Sequence, residues 1–302
     1  MGGANEDNLD GANASKERVS QLNFRVVKTK TEVYDIITRS FGRKSQWNEL
    51  PHGLDLRNNW NLMWVWSKLQ RDMSRMLVWQ KANHFIGAKN VSRKDFLKRN
   101  IERAMKFSAR AKNCFDIMPL TYILPKEYVA FLETFSDLED KEGKMNFWIM
   151  KPAASSRGRG ISLVNDIAQV TYGEAMVMQR YIKNPLLLNG YKFDLRIYVL
   201  VTSYEPMKVY VFQEGLARFA SETYTQKINK NNKFMHLTNY SINKKNERFI
   251  QNENQEQDDF GYKWSLGAFC KHLEQVGIDM NLLWSRIYDV VIKTLLCGEN
   301  YV

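Results

Sequence analysis

An α+β fold is predicted by three features of this sequence. Short strand-like runs punctuated by turn residues fill the middle of the chain, amphipathic helical stripes follow them, and the two kinds of element do not keep the order of a doubly wound sheet. The composition, 44% hydrophobic and 25% charged over 302 residues, supplies enough apolar material for two or three small cores.

Taken in chain order, residues 1–22 are polar and rich in Asn, Gly and Ala, and are expected to form a disordered leader. A strand-like run over 24–27 opens the folded part, an amphipathic stretch follows through Val33, Ile36 and Ile37, and an aromatic-dense piece covers 60–69. Trp60, Trp64 and Trp66 are expected to pack a small core there, since buried aromatics dominate core energetics. Ser92 with Asp95 resembles a capping box, after which Leu97, Ile101 and Met105 recur every fourth residue among Lys94, Lys98, Arg99, Arg103, Lys106 and Arg110. This pattern predicts a basic amphipathic helix over 93–112, whose charged side is either a solvated face or a dock for an acidic partner.

Beyond Pro119 and Pro125, residues 147–150 read as a strand, 161–164 as its hairpin partner and 176–182 as a further strand. Leu195, Ile197, Val199 and Val201 alternate with Arg196, Tyr198, Leu200 and Thr202, and a turn at Glu205, Pro206 and Met207 leads into 209–212, which predicts an antiparallel hairpin. Residues 251–259 read as a polar loop. Two closing helices are traced by Leu266, Phe269, Cys270 and Leu273, and by Leu283, Ile287, Val290 and Val291.

Lys plus Arg outnumber Asp plus Glu by 44 to 33, giving a net charge of +11 that favours polyanionic partners. Nucleic acid, an anionic membrane and an acidic protein tail all satisfy that excess. Cys114, Cys270 and Cys297 lie far apart with no Cys-x-x-Cys pair, which argues against a disulfide framework or a zinc ribbon and for a reducing interior. The amino terminus lacks the apolar core of a signal peptide, and no run approaches the ~18 to 20 apolar residues of a membrane span. Glu6 stands where a myristoylation signal requires Ser or Thr. A cytosolic or cytoskeletal protein is expected.

The segment WIMKPAASSRGRGI, residues 148–161, holds the chemistry that local sequence can suggest. A lysine ending a buried strand can aim its ammonium at a phosphate, and a glycine-bearing loop after it can lay backbone N–H groups around the same anion. It is neither a Walker A loop, since no Gly-Lys-Ser/Thr follows, nor a dinucleotide fingerprint, since Leu163 stands where the third glycine belongs. By itself the pattern fits a phosphate grip, a structural turn or a nucleic-acid-binding loop. Asp194 between Lys192 and Arg196 fits an ion pair at a sheet rim, His236 a satisfied histidine without catalytic work, and Thr238, Asn239 and Ser241 turn formers.

MQRYIKNPLLLNGYKFDLRIYVLVTSY, then EGLARFAS, then FMHLTNYSINKK, together with the lysine segment, resemble in order the signature blocks of the tubulin tyrosine ligase-like family. FRVVKT, NLMW, the NHF at His84, SRKD and the Leu124-Pro125 pair are also similar to that family, nearest to its glutamate-adding members, and the likeness runs from Phe24 to the closing helices. Ile86 departs from it, standing where relatives place proline.

The resemblance implies an α+β fold of the ATP-grasp kind: an N-terminal α/β domain over 23–114, a central subdomain over 115–190, and an incomplete C-terminal subdomain over 191–302. It implies ATP and Mg2+ as cofactors. Lys151 would contact the phosphates, with Arg157 and Gly158 in the loop above them; Gln179, Arg180, Tyr181 and Ile182 would meet adenine through backbone groups. Lys192, Phe193 and Asp194 would continue the nucleotide pocket, joined by Thr238 and Asn239, while Arg218, Tyr240, Ser241 and Lys263 would receive free L-glutamate. Lys151, Arg157 and Arg218 are the expected catalytic residues.

The implied reaction joins glutamate to a glutamate side chain of tubulin through an acylphosphate, and Arg157 is similar to members that begin a side chain. Acidic tubulin tails and microtubules are the implied partners, nucleic acid and membrane are not, and a monomer in the cytoplasm and cytoskeleton is expected, with the cilium or basal body as a further site. The family's metal set, an Asp strand and a Glu-x-Asn after Lys-Pro-Trp, does not occur, because Glu299-Asn300 has no intervening residue. Metal held by phosphate and water alone, weak ATP binding and little ligation are therefore expected of a truncated chain. A noncatalytic ATP- and microtubule-binding pseudoenzyme is the alternative.

Overall fold

The computed structural model describes residues 21–27, 29–51, 59–66, 75–170, 173–250 and 257–301. Nearly all of the expected leader, and 251–256 of the polar loop, lie outside the described residues. The chain divides into two compact units, Met1–Ile86 and Gly87–Val302.

In the first unit, β1 (Leu22–Val27) leads through α1 (Thr31–Gly42) to β2 (Trp47–Glu49), and β3 (Leu62–Val65) and β4 (Lys81–Ala82) follow. The sheet order is β2-β1-β3-β4 with every pair parallel. Parallel neighbours need a crossover, which α1 supplies between β1 and β2. Phe24, Val26 and Ile37 pack one core, with the Phe24 and Phe41 rings stacked at 4.9 Å, and Trp60, Met63 and Val65 pack another. The tryptophan expectation holds for Trp60, which is 2% exposed, and fails for Trp66, which is 50% exposed. Trp66 stands one residue past the end of β3, where its ring meets the Lys30 ammonium at 5.9 Å. Asn83 of the NHF segment grips β3 by its side chain, accepting from Val65 N–H at 2.9 Å and donating to Val65 C=O at 3.0 Å.

The second unit opens with α2 (Lys89–Ser92), α3 (Lys94–Met105) and α4 (Ala109–Cys114). The capping box is not formed: α3 begins after Arg93 without a side-chain cap, and Asp95 is instead held by Arg93 Nε at 3.1 Å and Nη2 at 2.9 Å. The basic segment is also two helices, because Ser108 starts α4 by accepting Ala111 N–H at 3.0 Å. Arg99, Arg103, Lys106 and Arg110 stay exposed, and one lysine turns inward. Lys98 is 2% exposed, paired with Glu127 at 2.7 Å and Glu102 at 2.8 Å, and Arg103 lies 4.8 Å over the Tyr301 ring.

After these come β5 (Thr121–Leu124), α5 (Tyr128–Glu142), β6 (Trp148–Pro152), β7 (Ser162–Val164) and β8 (Met176–Arg180). They form an antiparallel sheet of order β5-β8-β6-β7, with β6 and β7 as the expected hairpin. Period-two alternation sends Trp148, Met150, Met176 and Met178 into the core with Phe131 and Phe135 of α5, and leaves Ile149, Lys151, Val177 and Gln179 for the other face. Buried Asn146 tightens this core by accepting from Trp148 Nε1 at 2.8 Å and donating to Phe135 C=O at 2.9 Å.

The third sheet, also antiparallel, has the order β12-β11-β10-β9, from β9 (Leu187–Leu188), β10 (Tyr191–Tyr204), β11 (Met207–Phe219) and β12 (Lys263–Ser265). The expected β10–β11 hairpin is present and longer at both ends than the alternation suggested. Leu266, Phe269 and Leu273 of α8 (Leu266–Gln275) cover one face, where Phe193 meets Phe269 at 4.7 Å. Ser265 caps α8, and Asp279 caps α9 (Met280–Gly298) through the N–H groups of Asn281 and Leu282. Short helices α6 (Lys233–His236) and α7 (Tyr240–Asn243) follow β11. Among the described residues, one parallel and two antiparallel sheets with packed helices make a mixed architecture of the expected α+β kind.

Candidate functional site

Lys151 stands opposite Val177 across β6 and β8, so Gln179, two residues on, is its diagonal neighbour on the same face. Lys151 Nζ donates to Gln179 Oε1 at 2.7 Å, Gln179 Nε2 donates to Thr121 Oγ1 at 2.9 Å, and Thr121 donates to Pro119 C=O at 2.6 Å. Burial, aided by the Lys94 charge, pushes the Lys151 ammonium down to about 8. Lys94 itself, on the first turn of α3, donates to the carbonyls of Pro152 at 3.3 Å and Ser155 at 2.7 Å, at the base of the glycine-bearing loop.

Lys192, on the face of β10 opposite α8, is also pushed down to about 8 by burial and by the Lys151 charge, with Asp194 opposing the shift. Its Nζ donates to Tyr181 OH at 3.1 Å and to His236 C=O at 3.0 Å. Asp194, across the β10–β11 ladder from Arg218, takes Arg218 Nε at 3.0 Å on one oxygen, and Arg218 Nη2 and Thr238 Oγ1 on the other. Arg196 Nε adds a contact at 3.4 Å. The ion-pair reading of Asp194 thus describes its surroundings well. Lys263, exposed on β12, stands in register beside Arg218.

Between β6 and β7, Arg157, Gly158 and Gly160 all take positive φ, at 60°, 76° and 68°. Ser241 Oγ donates to Arg157 C=O at 2.7 Å, and a Cβ on Gly158 would lie 2.6 Å from Ile242 Cδ1 and 3.2 Å from the Asn239 amide. The loop therefore rests directly on α7. Gly158→Ala combines left-handed strain of about 1 kcal/mol or more with that overlap, and is expected to lift the loop and weaken polyphosphate binding at least tenfold by calorimetry, with little change in melting temperature.

Three groups of expected residues are thus brought together: Lys151, Gln179, Tyr181 and Lys192; Asp194, Arg218 and Thr238; and Arg157, Gly158, Asn239 and Ser241. Others point elsewhere. The Arg180 side chain turns to Glu142, Asn146 and the Trp148 ring, and Phe193 faces the α8 core because it alternates with Lys192 and Asp194. The N–H groups of Arg180 and Tyr181 are occupied by Leu120 C=O at 2.8 Å and Phe147 C=O at 3.0 Å, Ile182 is exposed, and Tyr240 packs on Phe249 at 5.8 Å. Sequence reasoning missed Lys94 and Thr121 as supports of Lys151, since nothing local marks partners so far along the chain.

Lys151 and Lys192 are desolvated cations that repel each other, so a polyanion such as a nucleotide's phosphates fits them. A divalent metal is less well served. Asp194 is already taken by Arg218, Arg196 and Thr238, and among the described residues no group of three or more His, Cys, Asp or Glu could hold a metal ion. Nor, among them, is any helix long and apolar enough to cross a membrane.

Fold and site together define a mixed α/β protein with a cationic cluster suited to polyanions. The model of the tubulin-tyrosine ligase family matches residues 70–302, and the chain belongs to that family. It is 40% identical over 281 residues to the human tubulin polyglutamylase TTLL5, covering 92% of this chain and 21% of that protein. It is 42% identical over 224 residues to the mouse tubulin monoglutamylase TTLL4, covering 74% of this chain and 18% of that protein. The human probable tubulin polyglutamylase TTLL2 is 35% identical over 277 residues, or 91% of this chain and 45% of that protein. The chain thus spans about a fifth to under a half of the length of these curated relatives.

Proposed function

We propose that this chain carries the nucleotide-binding body of an ATP-grasp ligase that joins free L-glutamate to a glutamate side chain of tubulin. The convergence of two desolvated lysines, Lys151 and Lys192, carries the nucleotide half of that reading. The tubulin half rests on relatives named as tubulin polyglutamylases and monoglutamylases. A carboxylate is a poor electrophile, and ATP supplies the phosphoryl group that activates it for attack by an amine.

Lys151 and Lys192 neutralise the phosphates, and the loop with Arg157 and Gly158 covers them from its seat on α7. Gln179 steers Lys151, and the Arg180–Ile182 segment, whose two N–H groups are already bonded, offers its remaining backbone groups to the adenine. Asp194 occupies the Nε–Nη2 edge of Arg218 and leaves its Nη1 side to meet a free carboxylate, while Ser241, Lys263 and Tyr240, its ring against Phe249, border the amino-acid side. Residues 115–190 and 191–302 form the two subdomains about the nucleotide. Arg157 suits initiation of a side chain, and the charge of +11 suits acidic tubulin tails. A monomer of the cytoplasm and cytoskeleton fits this role.

Both lysines must be protonated to serve, so affinity for ATP is expected to fall as pH rises through about 8. Binding above that pH takes up protons, measurable by calorimetry in buffers of different ionisation heat; flat affinity from pH 7 to 10 would sink the assignment.

A second reading is a noncatalytic ATP- and microtubule-binding protein, in which Lys151 and Lys192 hold the phosphates without any ligation following. Labelled glutamate offered with ATP, Mg2+ and microtubules separates the two. Label entering tubulin establishes the ligase, and ATP binding without label establishes the second reading.

A further inference from the structure

Tyr181 and His236 adjoin Lys192 from two other elements, and the direction of each bond among them follows from its ends. Asn229 offers a backbone carbonyl, which can only accept, so His236 Nε2, 3.0 Å away, carries the ring proton and donates it. Burial holds the His236 pKa below its ordinary value, so the ring is neutral and Nδ1 keeps its lone pair. Tyr181 OH, 2.9 Å from Nδ1, must donate its hydrogen there. That turns the phenol's lone pairs toward Lys192, whose ammonium has only donors to give. One N–H of Lys192 meets the Tyr181 oxygen at 3.1 Å and a second meets His236 C=O at 3.0 Å; the third has no acceptor among the described residues and remains for a ligand.

We propose that Tyr181 and His236 are positioning residues for Lys192, fixing the rotation of its ammonium so that one N–H is presented to a phosphate. A relay ending on a carbonyl cannot run backwards, so the ammonium is oriented before the anion arrives. This lowers the reorganisation needed on binding. His236 thereby serves twice, through its ring by way of Tyr181 and through its own carbonyl directly. Besides these two, the titratable groups acting on Lys192 are Lys151 of β6 and Asp194 of β10, and Tyr224 adjoins the Tyr181 hydroxyl. Tyr181 stays protonated, since burial and Tyr224 raise its pKa.

The inference rests on the phosphate-binding role proposed for Lys192, and the test separates the two. Tripolyphosphate and ATP are titrated calorimetrically into the wild type, Tyr181→Phe and His236→Leu between pH 7 and 10. Tyr181→Phe keeps the ring and removes the hydroxyl, which is both the acceptor of Lys192 and the donor to His236 Nδ1, so the ammonium loses a bond that favours its charged form. The expected result is about tenfold weaker binding at pH 7 and a decline in affinity that begins at lower pH than in the wild type. A role confined to packing would leave that pH profile in place. A Tyr181→Phe profile superimposable on the wild type overturns the positioning role alone. A wild type that binds neither ligand at pH 7 overturns the phosphate role of Lys192 and this inference with it. His236→Leu keeps both acceptors of Lys192, the backbone carbonyl at 236 and the Tyr181 oxygen, and frees only the hydrogen of the Tyr181 hydroxyl, so it is expected to show the same shift more weakly; where it fails to fold, Tyr181→Phe decides.

Discussion

Lys151→Met is expected to weaken ATP or tripolyphosphate binding by about 10- to 100-fold and, in the absence of ligand, to raise the melting temperature. The first effect is the loss of a charge-assisted hydrogen bond in a dry setting, worth roughly 1.5–3 kcal/mol. The second follows from linkage. The Lys151 ammonium sits at about 8 in the fold against an ordinary 10.5, so between those values the unfolded chain binds a proton that the folded one has released. Stability of the wild type therefore rises with pH across that window and carries the full penalty below it, roughly 3 kcal/mol from the size of the shift. Methionine removes the charge at similar volume. Gln179 Oε1 loses its donor, which takes back about 1 kcal/mol or more, so a gain of a few degrees is the expected net. Melts at pH 7 and pH 9.5 with and without tripolyphosphate check both halves. A variant less stable than the wild type at pH 7 would show that Lys151 is not strained by burial.

What the sequence could and could not disclose follows the range of each interaction. Strands with a buried face wrote themselves in period two, so the β6–β7 and β10–β11 hairpins were readable from Leu195, Ile197 and Val199 or from the run ending at Lys151. The same alternation could have set Phe193 against α8, since it lies between Lys192 and Asp194, but resemblance assigned those residues as a block. Ion pairs across many residues left no trace. Nothing near Lys98 announces Glu127, so a helix that reads as a charged exterior buries its central lysine. The capping box at Ser92 failed for a local reason: Arg93 competes for Asp95 with a bidentate fork stronger than a backbone cap. Trp66 was misjudged because an aromatic at a strand end carries the same letter as one inside it.

Asn243→Leu should be the most damaging single substitution of those considered for the second unit. Asn243 is 1% exposed and makes hydrogen bonds with both ends of its amide: Oδ1 accepts from Ser221 N–H at 2.9 Å and Ser221 Oγ at 2.7 Å, while Nδ2 donates to Leu237 C=O at 2.6 Å and Asn239 C=O at 3.1 Å. Leucine is close in size and supplies none of these. The Ser221 hydroxyl keeps a partner in Asn246 Nδ2 at 2.9 Å, but Ser221 N–H and Leu237 C=O are left buried without this partner. At about 1–3 kcal/mol for each orphaned group, the loss is on the order of 4 kcal/mol, a large share of an ordinary domain's stability. Asn243→Asp isolates the donor half. Its carboxylate still accepts from Ser221 but sets an oxygen against the Leu237 and Asn239 carbonyls, which raises its pKa in the fold. A carboxyl raised in this way costs stability above its unfolded pKa, and the cost disappears as pH falls and the acid becomes a donor. Urea denaturation should therefore find Asn243→Asp well below the wild type at pH 7 and partly recovered near pH 5, with Asn243→Leu low at both. The same amide ties the segment bearing Thr238 and Asn239 to the end of the strand bearing Arg218. Asn243→Asp should accordingly lose affinity for the amino acid more steeply than stability as pH is raised from 5 to 7, measured on the fraction that remains folded.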